Sequence, residues 1–235
     1  MLSVLLCAIG SAIADNSTGP ESFARALDSV GKLHVPGQRY ENGYAKHYDE
    51  SCSATLITDD SRSEFSQLIV SAWHCIEFYH DTSRSLTFET ARGETRNANL
   101  IASGGSMYSD WALLRLDAPL DSPSVLLRPD SIDAGAGDLL MAGYPRSGTT
   151  ETKILETANN CRVTGADGPD TRSDCVLQKG TSGGGVFSAA KGSGGTELHY
   201  LGVISRGDGV SQSIYVPLRR FHSRITAYLQ SARLP

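Results

Sequence analysis

The sequence lacks most of what would mark a nucleic-acid, membrane or metal protein. Its 235 residues carry no basic excess: 21 Lys and Arg stand against 26 Asp and Glu, a formal charge of −5, and no segment forms a basic stripe. That argues against a protein built to hold a polyanion, so no nucleic-acid partner is expected. There is no C-x-x-C pair, no H-E-x-x-H and no calcium-loop pattern, so the spacing nucleates no metal site. Internal repeats and long low-complexity tracts are also missing.

Long apolar runs are confined to the first residues, MLSVLLCAIGSAIA. This run is too short to span a bilayer comfortably, which takes about 20 apolar residues. It ends in Ala12-Ile13-Ala14, with small residues where a signal peptidase reads them. Residues 1–14 are read as a signal peptide, with a buried N-terminal helix or a short anchor as the alternatives. The expected location is secreted or periplasmic, with no membrane span once the signal is removed. Cysteine is scarce, five in all, and Cys7 falls inside the proposed signal. The remaining Cys52, Cys75, Cys161 and Cys175 form an even set, which in an exported protein reads as two disulfides with three possible pairings.

Helical periodicity is scarce too. Short apolar or alternating runs separated by Gly, Pro, Asn, Asp or Ser dominate: SATLIT (53–58), QLIVSAW (67–73), SLTFET (85–90), WALLRL (111–116), DLLMAGY (138–144), LHYLGVIS (198–205) and QSIYVPL (212–218). This pattern predicts an all-β sandwich or barrel. One helix is expected at the end, where Leu218, Phe221, Ile225, Tyr228 and Leu229 recur at three- and four-residue spacing. The polar, Pro-containing segment 117–138 divides the strands into two sets. Residues 189–197, AAKGSGGTE, read as a hairpin tip.

The stretch KGTSGGGVF (179–187) places a single serine among glycines. A phosphate loop would need a Lys-Ser/Thr pair and a following helix, and a flexible linker would not run straight into Val186-Phe187. A serine nucleophile instead needs a base, a group orienting that base, and donors for a developing oxyanion. His74 closes the apolar run LIVSAWHC, although a capped strand end would explain it equally well. Asp110 opens SDWALLRL, where a turn residue before a strand is the bland alternative. The N–H groups of Gly180 and Ser182 are candidates for the oxyanion donors, with Gly180 permitting the backbone geometry.

In this order, SAWHC, SDWALLRL and GTSGGGVF resemble the T-A-A-H-C, D-I-A-L-L and G-D-S-G-G-P blocks of the chymotrypsin-like serine proteases. The resemblance covers roughly residues 45 to 230. GYP at 143–145, and Thr181 where the family carries Asp, are similar to the secreted glutamyl-endopeptidase-type branch found largely in bacteria. The resemblance implies two six-stranded antiparallel β-barrels with the site between them and a C-terminal α-helix. Beyond the signal, the expected division is an N-terminal segment at 15–44 with room for a short propeptide, a first barrel at 45–120, and the linker, second barrel and helix at 121–235.

It further implies a serine endopeptidase without cofactor, acting as a monomer on protein or peptide substrates. Ser182 would be the nucleophile, His74 the general acid–base and Asp110 its orienting carboxylate, with Gly180 and Ser182 lending the oxyanion amides. Cys52 would pair with Cys75, which leaves Cys161 with Cys175. The specificity pocket would draw on Val176, Leu177, Ser205, Arg206 and Gly207, with Ser205 bonded to Asp110. Val176 stands where trypsins carry the pocket-floor aspartate, so a Lys or Arg side chain would find no counter-charge there. Asp174 and Asp208 are candidate replacements, while Lys179 and Arg206 would favour an acidic side chain. Thr181 cannot take the ion pair that activates trypsin-like zymogens, and no R-I-V-G-G-like cleavage site occurs. The competing expectation is a catalytically silent binding or adhesion module of the same fold. An esterase of another fold is disfavoured because His74 precedes the serine.

Overall fold

A computed structural model of the chain describes residues 24, 26–58, 66–127, 138–146, 154–192 and 195–232. The proposed signal peptide, 1–14, lies outside the described residues. Strands β1 (Val30–Glu41) and β2 (Tyr44–Thr58) form a long hairpin. Asn42 and Gly43, both at positive φ, supply its two-residue turn, as the twist of such hairpins demands. β3 (Ser66–Ser71), β4 (Leu86–Glu89), β5 (Thr95–Ser103) and β6 (Ala112–Leu120) complete the order β1-β4-β5-β6-β3-β2, and the β1–β2 pairing closes it. The result is a six-stranded barrel, with the two-residue β7 (Val125–Leu126) appended in parallel on β2. The barrel takes in β1, ahead of the boundary at 45 expected from sequence.

The second sheet runs β10 (Val163–Asp167), β11 (Asp170–Ser173), β14 (Ser213–Pro217), β13 (Gly195–Gly207), β12 (Gly185–Gly192), β8 (Leu139–Gly143) and β9 (Glu156–Cys161). Only Arg162 separates β9 from β10, and Asn160, two residues before it, sits at φ 57°. The two are therefore one strand bent sharply, and the sheet curls into a half-barrel. Both disulfides form: Cys52–Cys75 ties β2 to the segment after β3, and Cys161–Cys175 ties the end of β9 to the segment after β11.

Side-chain alternation sorts the core into three layers. On β3, Ile69 fills the first barrel while Leu68 and Val70 face the other way; on β8, Leu139 and Met141 fill the half-barrel while Leu140 and Ala142 face the first. The outward sets meet in one apolar cluster between the barrels, which also holds Leu113, Phe187, Tyr200 and Val216. A period of two thus builds two barrel interiors and the seam that joins them. After Pro217, a short 3₁₀ turn ending at Phe221 leads into helix α1 (His222–Ala232), and the two dock on that seam through Phe221 and Ile225, both fully buried. Phe221 stacks on Trp111 at 5.5 Å, fixing the helix against the residue next to Asp110. The architecture is the chymotrypsin-like double barrel with a single C-terminal helix.

Opening Cys161–Cys175, which spans 14 residues, by paired serine substitution should cost about 3 kcal/mol of stability. Denaturant unfolding with and without the substitutions measures it.

Candidate active site

His74 lies in a 3₁₀ turn, Trp73–Cys75, that follows β3 directly, and the bridge from Cys75 to Cys52 pins it to β2. Asp110 lies two residues before the start of β6 and is fully buried. Since β3 pairs with β6, with Ser71 opposite Ala112, the two residues emerge side by side at one end of the barrel. The Asp110 carboxylate takes three hydrogen bonds: His74 Nδ1 at 2.8 Å and the His74 backbone N–H at 2.8 Å, both from the same residue, and the Ser205 hydroxyl at 2.5 Å. Burial alone would push the Asp110 carboxyl up. The His74 ring's hydrogen bond and charge, then Ser205 and the His74 N–H, outweigh it and hold the group below the usual carboxylate range. An ionised Asp110 can only accept, so Nδ1 carries the ring proton and Nε2 is left as the free base.

Ser182 sits at the head of the turn before β12, and first-barrel groups hold that turn. The Ser53 N–H donates to the Ser182 carbonyl at 2.7 Å, while the Ser53 hydroxyl donates to the Gly180 carbonyl at 3.1 Å and accepts from the Tyr144 N–H at 2.7 Å. Gly183, at φ +85°, lies so close to this strand that a Cβ there would come within 2.0 Å of the Ser53 carbonyl oxygen. On the other side the Lys179 carbonyl accepts from the Arg146 N–H at 2.7 Å. In a trans peptide the following N–H points the opposite way, so the Gly180 N–H is turned from Arg146. Neither it nor the Ser182 N–H has a protein acceptor among the described residues. Thr181 is buried, its hydroxyl donating to the Gln178 carbonyl at 2.8 Å, which closes the turn internally.

The trypsin-like peptidase domain family matches residues 52–193, more than half of the chain, a span that contains His74, Asp110 and Ser182. The chain belongs to this family. No curated protein matches it.

Between its two barrels the trypsin-like domain opens a cleft of about 420 Å³, onto which His74, Ser182 and Ser205 face together. Of the expected pocket residues, Leu177, Ser205, Arg206 and Gly207 line it; Val176, half-buried, does not. Met107, Arg146, Gln178 and Ser213 line it as well and were not singled out from sequence. Of the two carboxylates considered as counter-charges, Asp208 lines the cleft but is bonded within its own loop, and Asp174 does not line it. Asp208 accepts from the Ser211 hydroxyl and from the N–H groups of Ser211, Val210 and Gln212, bonds that hold its carboxyl well below the usual range. Asp174 bonds the Arg162 N–H at 2.6 Å. Among the cations, Arg146 pairs with Glu50, while exposed Lys179 has no carboxylate within ion-pair distance among the described residues. Cys52, His74 and Cys75 bring potential metal-ligating atoms together, but both sulfurs are spent in a disulfide. Ser53 was missed from sequence as well; its position directly after the barrel-bridging Cys52 is the only signal it gives.

Proposed function

We propose that this trypsin-like domain is an exported serine endopeptidase, closest in character to the glutamyl-endopeptidase-type branch. The observation that carries the reading is the pair of a buried Asp110 and a half-buried His74, 2.8 Å apart, with His74 opening on the same cleft as Ser182. In this reading Ser182 Oγ attacks the scissile carbonyl while His74 Nε2 removes its proton. The Gly180 and Ser182 N–H groups receive the oxyanion. His74 then protonates the leaving amine, and water, deprotonated by the same nitrogen, releases the acyl group. Asp110 keeps the proton on Nδ1 and balances the imidazolium. Export accords with two disulfides and with the absence, among the described residues, of any helix long and apolar enough to cross a membrane.

The Ser182 hydroxyl donates to the Ser205 carbonyl at 3.2 Å, with no hydrogen bond to His74. Catalytic hydrogen bonds in unliganded sites commonly tighten only when substrate binds. The same observation is what favours the second reading, a silent binding module. For specificity, the one carboxylate that lines the cleft among the described residues, Asp208, is turned into its own loop by the Ser211, Val210 and Gln212 donors, while Lys179 at the cleft has no ion-pair partner among the described residues, which supports cleavage after acidic or neutral residues over Lys and Arg. A mixed peptide library digested with the wild type and with Ser182→Ala, read by mass spectrometry, tests both points. Cleavage by the wild type alone, with Lys and Arg depleted before the cut, is expected; predominant cleavage after Lys or Arg would refute the pocket reading.

A further inference from the structure

We propose that Arg206 is a positioning residue that acts through Ser205 on the Asp110 carboxylate, a role that rests on the peptidase reading above. An arginine can only donate, and Arg206 Nη1 donates to Ser205 Oγ at 3.2 Å. That oxygen must accept, so its single proton is committed to Asp110 Oδ2, 2.5 Å away. Arg206 thereby fixes the rotor of the hydroxyl that completes the Asp110 shell, and its charge polarises the bond.

The arginine is itself held by a buried ionic cluster. Asp170 on β11, 2% exposed, accepts from Arg206 Nη1 at 3.2 Å on one oxygen and from Arg220 Nη1 at 2.7 Å on the other. Asp167 takes Arg206 Nη2 at 2.7 Å. Arg220 also reaches the Tyr108 carbonyl at 3.0 Å, two residues before Asp110. A carboxylate this buried is tolerated only when it is paired and hydrogen-bonded, and this one joins the loop leading to Asp110 with the strand bearing Ser205. Both terminal nitrogens of Arg206 are consumed, so the side chain is not the free cation that the sequence offered for an acidic substrate.

The test uses the full chain with Arg206→Gln, Arg206→Lys, Ser205→Ala and the Arg206→Gln/Ser205→Ala double variant. The His74 Nδ1–H resonance in ¹H–¹⁵N spectra reports the Asp110 bond directly, and the rate of labelling by a fluorophosphonate reports the nucleophile. Arg206→Gln should move the resonance and slow labelling about tenfold, the size of one charge-assisted hydrogen bond. Arg206→Lys keeps the charge for Asp170 but loses the fork that also spans Ser205, and should move the resonance in the same direction. In the Ser205→Ala background Arg206→Gln should add nothing. An unmoved resonance in either arginine variant, or an undiminished effect of Arg206→Gln without the Ser205 hydroxyl, would overturn the proposal. Should Arg206→Gln not fold, Arg206→Lys reads the same quantity. A wild type that resists the phosphonate sinks the peptidase reading instead, while the resonance still decides whether Arg206 governs Asp110.

Discussion

Ser182→Ala should lower peptide turnover on the order of 10⁴- to 10⁶-fold while leaving the melting curve in place. The loss is large because, in the mechanism proposed above, the hydroxyl oxygen is the atom that bonds to the substrate. The fold should not notice. Ser182 Oγ makes one hydrogen bond, to the Ser205 carbonyl at 3.2 Å. The turn is held instead by backbone: the Ser53 N–H on the Ser182 carbonyl, and the Gly183 N–H on the Ile204 carbonyl at 2.8 Å. Residual activity above the water rate should survive, because the backbone N–H groups of Gly180 and of residue 182 both remain to stabilise an oxyanion. Rates on a cleaved peptide, together with calorimetry, check both halves. Equal turnover by the two proteins would remove Ser182 from the chemistry. Inactivity of both, with no phosphonate label on the wild type, would favour a binding module.

Most of the architecture was legible because its signals are local. Strands buried on both faces, such as Leu139–Gly143 and Ser213–Pro217, run almost continuously apolar, and the segment after Pro217 shows its stripe in Phe221, Ile225 and Tyr228. Among the strands that escaped notice, the two at the edges of the second sheet are polar and largely exposed. Glu156–Cys161 and Val163–Asp167 carry Thr, Asn and Gly on an edge, where no core imposes a pattern. The order of His74, Asp110 and Ser182 was visible because each lies at the end of a strongly patterned segment. The surroundings of Arg206 were not. Its partners Asp167 and Asp170 lie 39 and 36 residues away and face it only because β11 and β13 both flank β14. Val176 illustrates the complementary failure: counting back from Ser182 placed it at the pocket, but the chain turns Leu177 and Gln178 into the cleft instead.

Gly180→Ala should cost about 10²- to 10³-fold in turnover, the loss expected when one oxyanion donor is misplaced. Gly180 holds φ at +103°, which an alanine adopts only under strain, and its Cβ would stand 2.2 Å from the Arg146 backbone nitrogen and 2.9 Å from the Pro145 carbonyl carbon. Both obstacles are main-chain atoms and cannot swing aside as a flexible side-chain tip would. The turn must move, and the first bond to go is the 2.7 Å contact from the Arg146 N–H to the Lys179 carbonyl. That contact is what aims the Gly180 N–H away from Arg146. Beside Ser182, Thr181 is satisfied within the turn by the Gln178 carbonyl. A donor aimed by Arg146 needs no ion pair with a new N-terminus, which supports an oxyanion site formed without an activation step. Fluorophosphonate labelling should slow alongside peptide cleavage, since its transition state also places negative charge on an oxygen. The strain should add about 1–3 kcal/mol of destabilisation, visible in the same unfolding curves. Cleavage and labelling both at the wild-type rate in Gly180→Ala would mean that the oxyanion is held by some other donor.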